Sequence, residues 1–217
     1  MESSGLSALV LAGGGARRLG GADKPGLLVG GVPLLDRVLA AVADADPVVV
    51  VGPERRTLRP VRWAREQPPG AGPVAGLAAG LAVLPLGQVA LLAADLPFLD
   101  EATVRLLAGA ARGHDGALLV DETGREQWLC GVWSAERLRA ALAPVEPAGA
   151  PLRAVLGGLD AVRVSAPRRP GAPAVWFDCD TEADLATARH GVTGDGAAPQ
   201  GVTGHGAAPQ GVTGDGA

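Results

Sequence analysis

Hydrophobic residues recur along this chain in two alternating rhythms. Short unbroken apolar runs read as buried strands: Ala8–Ala12, Val48–Val51, Gln88–Ala93, Ala117–Val120 and Gln127–Trp133. Shorter runs of the same kind stand at Val61–Ala64, Val162–Val164 and Val175–Phe177. Between them the spacing lengthens to three and four residues and predicts amphipathic helices. Leu34, Leu35, Val38, Leu39 and Val42 make one stripe after Pro33; Val74, Leu77, Ala78 and Leu81 make another after Gly72-Pro73, with Pro85 beyond its end. Asp100 is placed to cap a helix that runs to Ala111 and is closed by Gly113. Ser134 is placed to cap one that contains Leu138 and Leu142 and stops at Pro144. Pro151–Leu156 reads as a further short helix, and Thr181-x-x-Asp184 is a capping box before a last helix to about Arg189. This alternation predicts an α/β fold, a three-layer Rossmann-like sandwich with a mainly parallel sheet.

The rhythm stops near residue 190. From Gly191 a ten-residue unit, GVTGDGAAPQ, repeats with Asp195, His205 and Asp215 at its variable position. The unit has almost nothing apolar with which to offset its ordering entropy, so residues 191–217 are expected to be a disordered tail behind a single domain of residues 1–190. The tail does not match the calcium-binding nonapeptide pattern. A domain of that size can bury about 70% of its unfolded surface. With 47% hydrophobic but only 3% aromatic residues, its core must be built from Leu, Val and Ala around Trp63, Trp128, Trp133 and Trp176.

Charge and targeting signals narrow the field. A net charge of −4 argues against a nucleic-acid partner. No apolar run reaches the roughly 18 residues of a membrane span, and the start Met-Glu-Ser-Ser-Gly lacks the basic opening of a signal peptide. Cys130 and Cys179 have no metal-ligand spacing and read as two buried free thiols in a reducing, cytoplasmic setting.

The first strand opens into the stretch that carries the candidate chemistry. Gly13, Gly14 and Gly15 let the backbone take positive φ and lie against a ligand, and successive N–H groups in such a loop form an anion-binding concavity. Arg17, Arg18 and Lys24 bring positive charge to the same loop. Lys24 is the only lysine, every other one of the 19 basic residues being arginine. A compact ammonium is not interchangeable with a planar guanidinium, so a lone lysine in a chain that otherwise avoids it points to a role. The loop is not a P-loop, because Lys24 precedes Pro25 rather than Ser or Thr. Nor is it a dinucleotide fingerprint, because Arg18 occupies the third glycine position, which also disfavours an NAD(P) oxidoreductase.

What remains is L-A-G-G-x-x-x-R-L-G-x-x-x-K, carried by Leu11, Ala12, Gly13, Gly14, Arg18, Leu19, Gly20 and Lys24. It resembles the first motif of the nucleotidyltransferases that load a nucleotide onto a phosphorylated small molecule, most of all the molybdenum cofactor guanylyltransferases. The resemblance covers most of residues 7–188. It implies transfer of a nucleoside monophosphate from an NTP–Mg²⁺ donor, GTP in the first place, to an acceptor phosphate of molybdopterin type. CTP, a sugar-1-phosphate acceptor, or a nucleotide-binding module without turnover are the alternatives. Lys24 and Arg18 are then the catalytic cations, and Leu11, Ala12, Gly13, Gly14, Gly15, Lys24, Gly72 and Asp95 the nucleotide-binding positions.

Asp95-Leu96-Pro97 is similar to the family's metal-holding D-x-P segment, although an aspartate before proline also suits an Asx turn. Asp178-Cys179-Asp180-Thr181 resembles the second metal segment, with Asp180 the better candidate by position; Glu182 stands where the family has proline. If a strand continued through it, alternation would put Asp178 and Asp180 on one side, while Asp180 or Thr181 is also a natural helix cap. Gly72-Pro73-Val74-Ala75-Gly76 resembles the base and sugar pocket segment, and Glu66, or Gln67 with a shift of one, stands nearest the family's preceding acid. Gln127–Trp133 resembles the acceptor strand, with Trp128 in place of a smaller residue, and Arg153 falls near the family's late acceptor segment. His114 and His190 follow predicted helix ends, where a cation complements the helix dipole, and are assigned no catalytic role.

Overall fold

The computed structural model describes residues 5–13, 23–166 and 170–194. A seven-stranded sheet forms its middle, in the order β5-β4-β1-β6-β8-β7-β9. The strands are β1 (Leu6–Leu11), β4 (Val48–Val51), β5 (Arg62–Ala64), β6 (Gln88–Ala93), β7 (Gly116–Val120), β8 (Glu126–Ser134) and β9 (Ala161–Ser165). A two-stranded antiparallel hairpin, β2 (Leu28–Val29) with β3 (Val32–Pro33), stands apart from it. β1 pairs in parallel with β4 and β6, β4 with β5, and β7 with β9; β8 runs antiparallel between β6 and β7. The mainly parallel sheet expected from the sequence is present, with one reversed strand inside it.

Alternation along the strands distributes the core between two layers. Ala8, Val10, Val48 and Val50 face the layer of α1 (Leu34–Ala41) and α3 (Glu101–Ala110). Leu9, Leu11, Val49 and Val51 face α2 (Pro73–Leu81), α4 (Ala135–Leu142) and α5 (Leu152–Leu156). Consecutive strand residues point to opposite faces, so a run that is apolar at every position is what a sheet covered on both sides requires. Helix α2 approaches most closely where it has glycine: a Cβ on Gly80 would lie 2.1 Å from Leu9 Cδ1. Trp133 is wholly buried in the second layer, where Trp128 is half-buried; Trp63 and Trp176 pack against the first.

The caps act as the sequence predicts. Asp100 accepts from the Thr103 N–H at 2.7 Å and Ser134 from the Arg137 N–H at 3.3 Å. Thr181 and Asp184 bond reciprocally, the Thr181 N–H to Asp184 Oδ2 at 2.8 Å and the Asp184 N–H to Thr181 Oγ1 at 3.1 Å. The strand expected at Val175–Phe177 is not formed. The Phe177 N–H bonds back to the Ala174 carbonyl, after Pro173, so the chain turns there instead of pairing with a sheet edge.

The last helix, α6 (Glu182–Gly194), runs past the expected end at Arg189 and into the first repeat. Val192 packs beside Val29, Leu34, Leu185 and Ala188, so the apolar content of that first unit is used. The remainder of the expected tail, residues 195–217, lies outside the described residues. Deletion of residues 195–217 is expected to leave the melting temperature unchanged. Deletion from Gly191 removes Val192 as well and should cost about 1 kcal/mol in thermal or urea unfolding. A large loss from the shorter deletion would contradict an unfolded tail.

Candidate active site

Parallel order brings the carboxyl ends of β1, β4, β5 and β6 to one rim, and ligands in open α/β sheets bind outside such ends. The rim is knitted by the backbone: Ala12 N–H to Val51 carbonyl at 2.8 Å, Gly52 N–H to Ala64 carbonyl at 3.0 Å, and Ala94 N–H to Leu11 carbonyl at 3.1 Å. Gly52 is needed there, because at φ 151° a Cβ would lie 2.9 Å from the Ala12 carbonyl. Above the rim is a cleft of about 780 Å³ bordered by Leu11, Ala12, Gly13, Lys24, Glu66, Gly72, Asp95 and Asp180, among others.

Lys24 stands at the centre of the acidic side of this cleft. Its ammonium pairs with Asp95 Oδ2 and with Asp180 Oδ1, the latter at 2.6 Å. A short 3₁₀ turn, Lys24–Gly26, with Pro25 in its first positions, presents the side chain. Asp95 is delivered by the end of β6 and Asp180 by the segment before α6. Because Thr181 is the residue that caps α6, the Asp180 carboxylate is left for Lys24.

No strand carries Asp178 and Asp180. Cys179 nevertheless turns inward into the cluster of Val29, Leu34 and Leu185, and the aspartates on either side turn outward. Among the described residues no group of three or more His, Cys, Asp or Glu is arranged to hold a metal by itself.

The electrostatics follow from this clustering. Burial by itself lowers the pKa of the Lys24 ammonium, but the Asp95 and Asp180 carboxylates outweigh it and the net displacement is upward. Burial, then the charges of Asp180 and Asp95, hold the Asp178 carboxyl above the usual carboxylate range. The second oxygen of Asp95, Oδ1, is buried and has no hydrogen-bond partner among the described residues. Burial pushes the Cys130 and Cys179 thiols up to about 12, and both are free, as expected.

Glu66 rather than Gln67 faces the cleft. It is buried, its Oε1 accepts the Gly70 N–H at 2.9 Å, and its Oε2 is buried without a partner, whereas Gln67 is exposed. Gly13 lies directly over it, with a Cβ position 3.5 Å from Glu66 Oε1. Gly72 lines the cleft at the N-terminus of α2 with φ 102°. Leu129 borders the cleft too, whereas Arg153 is exposed on α5 and does not line it. His114 bonds Asp160 at 2.9 Å and His190 bonds the Ala186 carbonyl at 2.7 Å, both away from the cleft.

Arg18, Gly14 and Gly15 lie outside the described residues. Sequence reasoning missed Arg55, whose guanidinium pairs with Asp23, the residue before Lys24. No local pattern marks it, since Arg55 sits among Glu54, Arg56 and Arg59 in a polar loop.

The fold is shared with solved nucleotidyltransferases. A nucleotidyl transferase from Methanothermobacter superposes with a TM-score of 0.72 at 23% identity, over 88% of this chain and 99% of that one. The molybdopterin-guanine dinucleotide biosynthesis protein A of Archaeoglobus fulgidus does so with 0.64 at 20%, over 87% and 99%. In sequence, residues 8–164 match the MobA-like NTP transferase domain. A probable molybdenum cofactor guanylyltransferase from Natronomonas pharaonis is 32% identical over 83% of this chain and 95% of its own length. A molybdenum cofactor guanylyltransferase from Bradyrhizobium is 32% identical over 86% and 92%. The chain belongs to the MobA-like NTP transferase family and is a nucleotidyltransferase.

Proposed function

We propose that this enzyme transfers GMP from GTP to the phosphate of a molybdopterin-type acceptor and releases pyrophosphate. The observation that carries the reading is the solitary lysine held between Asp95 and Asp180 at the rim of a cleft within the size range of small-molecule and cofactor sites. The names of the relatives, molybdenum cofactor guanylyltransferases, support guanine as the donor base and a molybdopterin-type cofactor as the acceptor class. Two free, buried cysteines suit a cytoplasmic enzyme.

The chemistry asks little of side-chain acids or bases. An acceptor phosphate oxygen attacks the α-phosphorus, and the bond from that phosphorus to the oxygen of departing pyrophosphate breaks. The nucleophile is already an anion, so no proton has to be removed. Lys24 and Arg18 stabilise the charge that builds on the α-phosphate and on the leaving group, in a cleft that positions both reactants. The Ala12 N–H is already bonded to the Val51 carbonyl, so the backbone amides of Gly13 to Gly15, with Leu11, Ala12, Gly72 and Glu66 alongside, hold the nucleotide.

The donor set fits a hard cation. Asp95 Oδ1 is buried with no hydrogen-bond partner among the described residues, so it has acceptor capacity to spare, and carboxylate oxygens are the ligand class that Mg²⁺ takes. Asp95 and Asp180 would hold it. Bound there with phosphate oxygens and water, Mg²⁺ would neutralise triphosphate charge.

The test is pyrophosphate release from GTP, CTP, ATP and UTP, each with molybdopterin, sugar 1-phosphates and other phosphorylated acceptors. Release with GTP and the molybdopterin-type acceptor is expected. Release confined to CTP or to a sugar phosphate would overturn the donor or the acceptor. Tight NTP–Mg²⁺ binding without release from any pair would make the chain a binding module.

A further inference from the structure

We infer that Arg55 is a positioning residue for Lys24, acting through Asp23; the functional part of this inference rests on the role of Lys24 proposed above. The residue before Lys24 is held from outside its own turn. Arg55 Nη1 pairs with Asp23 Oδ1, across the gap between the loop that follows β4 and the 3₁₀ turn. Gly26, the last residue of the turn, lies against this pair: a Cβ there would lie 2.7 Å from Asp23 Oδ2, so a side chain would displace the Asp23 carboxylate. The Arg55 side chain is only 15% exposed although it belongs to a surface loop.

The loop that carries Arg55 is a strut. The Leu58 N–H donates to Oδ1 of Asp36, a buried carboxylate on α1, at 2.8 Å. Arg59 donates to the Val42 and Ala45 carbonyls beyond the end of α1, at 2.7 and 3.1 Å. Thr57 Oγ1 donates to the Arg59 carbonyl at 2.8 Å and stiffens the turn between them. The loop is thus anchored to α1 at Leu58 and Arg59, and its backbone carries that anchorage to Arg55, which pairs with Asp23, one peptide from Lys24. Arg55 also neutralises Asp23, a carboxylate that would otherwise compete with Asp95 and Asp180 for the neighbouring ammonium. Asp23 is 63% exposed, and pairs so open to water contribute little to stability. The pair is therefore suited to aiming a side chain rather than to holding the fold.

Because the chain has a single lysine, isotope-labelled lysine reports on this residue alone. The experiment compares wild-type, Arg55→Met, Asp23→Asn, the double variant and Lys24→Ala by ¹H–¹³C spectra of the lysine ε-methylene, by melting temperature and by turnover. In the wild type the ε-methylene should give a displaced, inequivalent proton pair. In Arg55→Met and Asp23→Asn alike it should collapse toward the signal of a solvated lysine, with melting nearly unchanged. Their kcat should fall by about twofold to fivefold with nucleotide affinity little altered, and the double variant should be no worse than either single one. An unchanged lysine signal in both single variants would overturn the inference, whatever happens to turnover. So would additive losses of nucleotide affinity, which would put Arg55 on the substrate itself. If the signal collapses but Lys24→Ala retains full turnover, the failure lies in the catalytic reading and not in the positioning contact.

Discussion

Lys24→Ala should lower the rate of nucleotidyl transfer by about a thousandfold or more while the protein remains folded. Removing one preorganised donor aimed at developing charge costs roughly 10²–10³ in rate, and removing a full cation that stabilises a phosphoryl-type transition state costs roughly 10³–10⁵. The side chain is 15% exposed and already aimed into the cleft, so little reorganisation accompanies its use. Its loss also leaves Asp95 and Asp180 without their shared counter-ion, which should destabilise the fold by about 1–3 kcal/mol. That penalty is small beside the catalytic one, and the two separate in a melting curve measured with the same preparation. Added divalent cation should raise the melting temperature of the variant more than that of the wild type, because the ammonium no longer competes for the two carboxylates. Undiminished turnover in Lys24→Ala would end the assignment.

Asp95→Asn should produce the second largest loss, roughly a hundredfold or more, expressed as a weakened response to Mg²⁺. The substitution preserves shape and removes only charge and one acceptor. Asp180 can still pair with Lys24, so the lysine keeps a partner and the fold should survive. What is lost is the carboxylate charge and its second acceptor oxygen, buried and without a hydrogen-bond partner among the described residues. Activity measured against Mg²⁺ concentration should shift to higher metal and saturate lower. A variant with the wild-type metal dependence would remove Asp95 from the metal site and leave it as the anchor of a turn before Pro97.

Much of the site was legible because its parts are local. The glycines after β1, the lone Lys24, Asp95 at a strand end and the Thr181–Asp184 capping box are each read within a few neighbouring positions. The capping box also resolved an ambiguity. Once Thr181 is the cap, Asp180 is not needed for that purpose and reaches Lys24. Glu66 and Gln67, adjacent and similar in size, were not separable from sequence. Burial of one and exposure of the other decided between them. The expected strand at Val175–Phe177 failed for a related reason: three apolar residues suit an edge strand, but pairing requires an available edge, and the chain turns at Ala174 instead.

By itself the sequence determined most of the strands and helices of the core, their two-sided burial, the caps and the chemical character of the loop after β1, because periodicity and turn chemistry act over a few residues. Tertiary structure decided the rest. Placing β1 between β4 and β6 brought Lys24 to Asp95, and packing α6 against the β2–β3 hairpin set the segment that carries Asp180. Folding the β4–β5 loop onto α1 brought Arg55 to Asp23. Strand order and loop docking are settled by which apolar faces cover one another across the whole chain, and no local pattern of hydrophobic and polar residues records that choice.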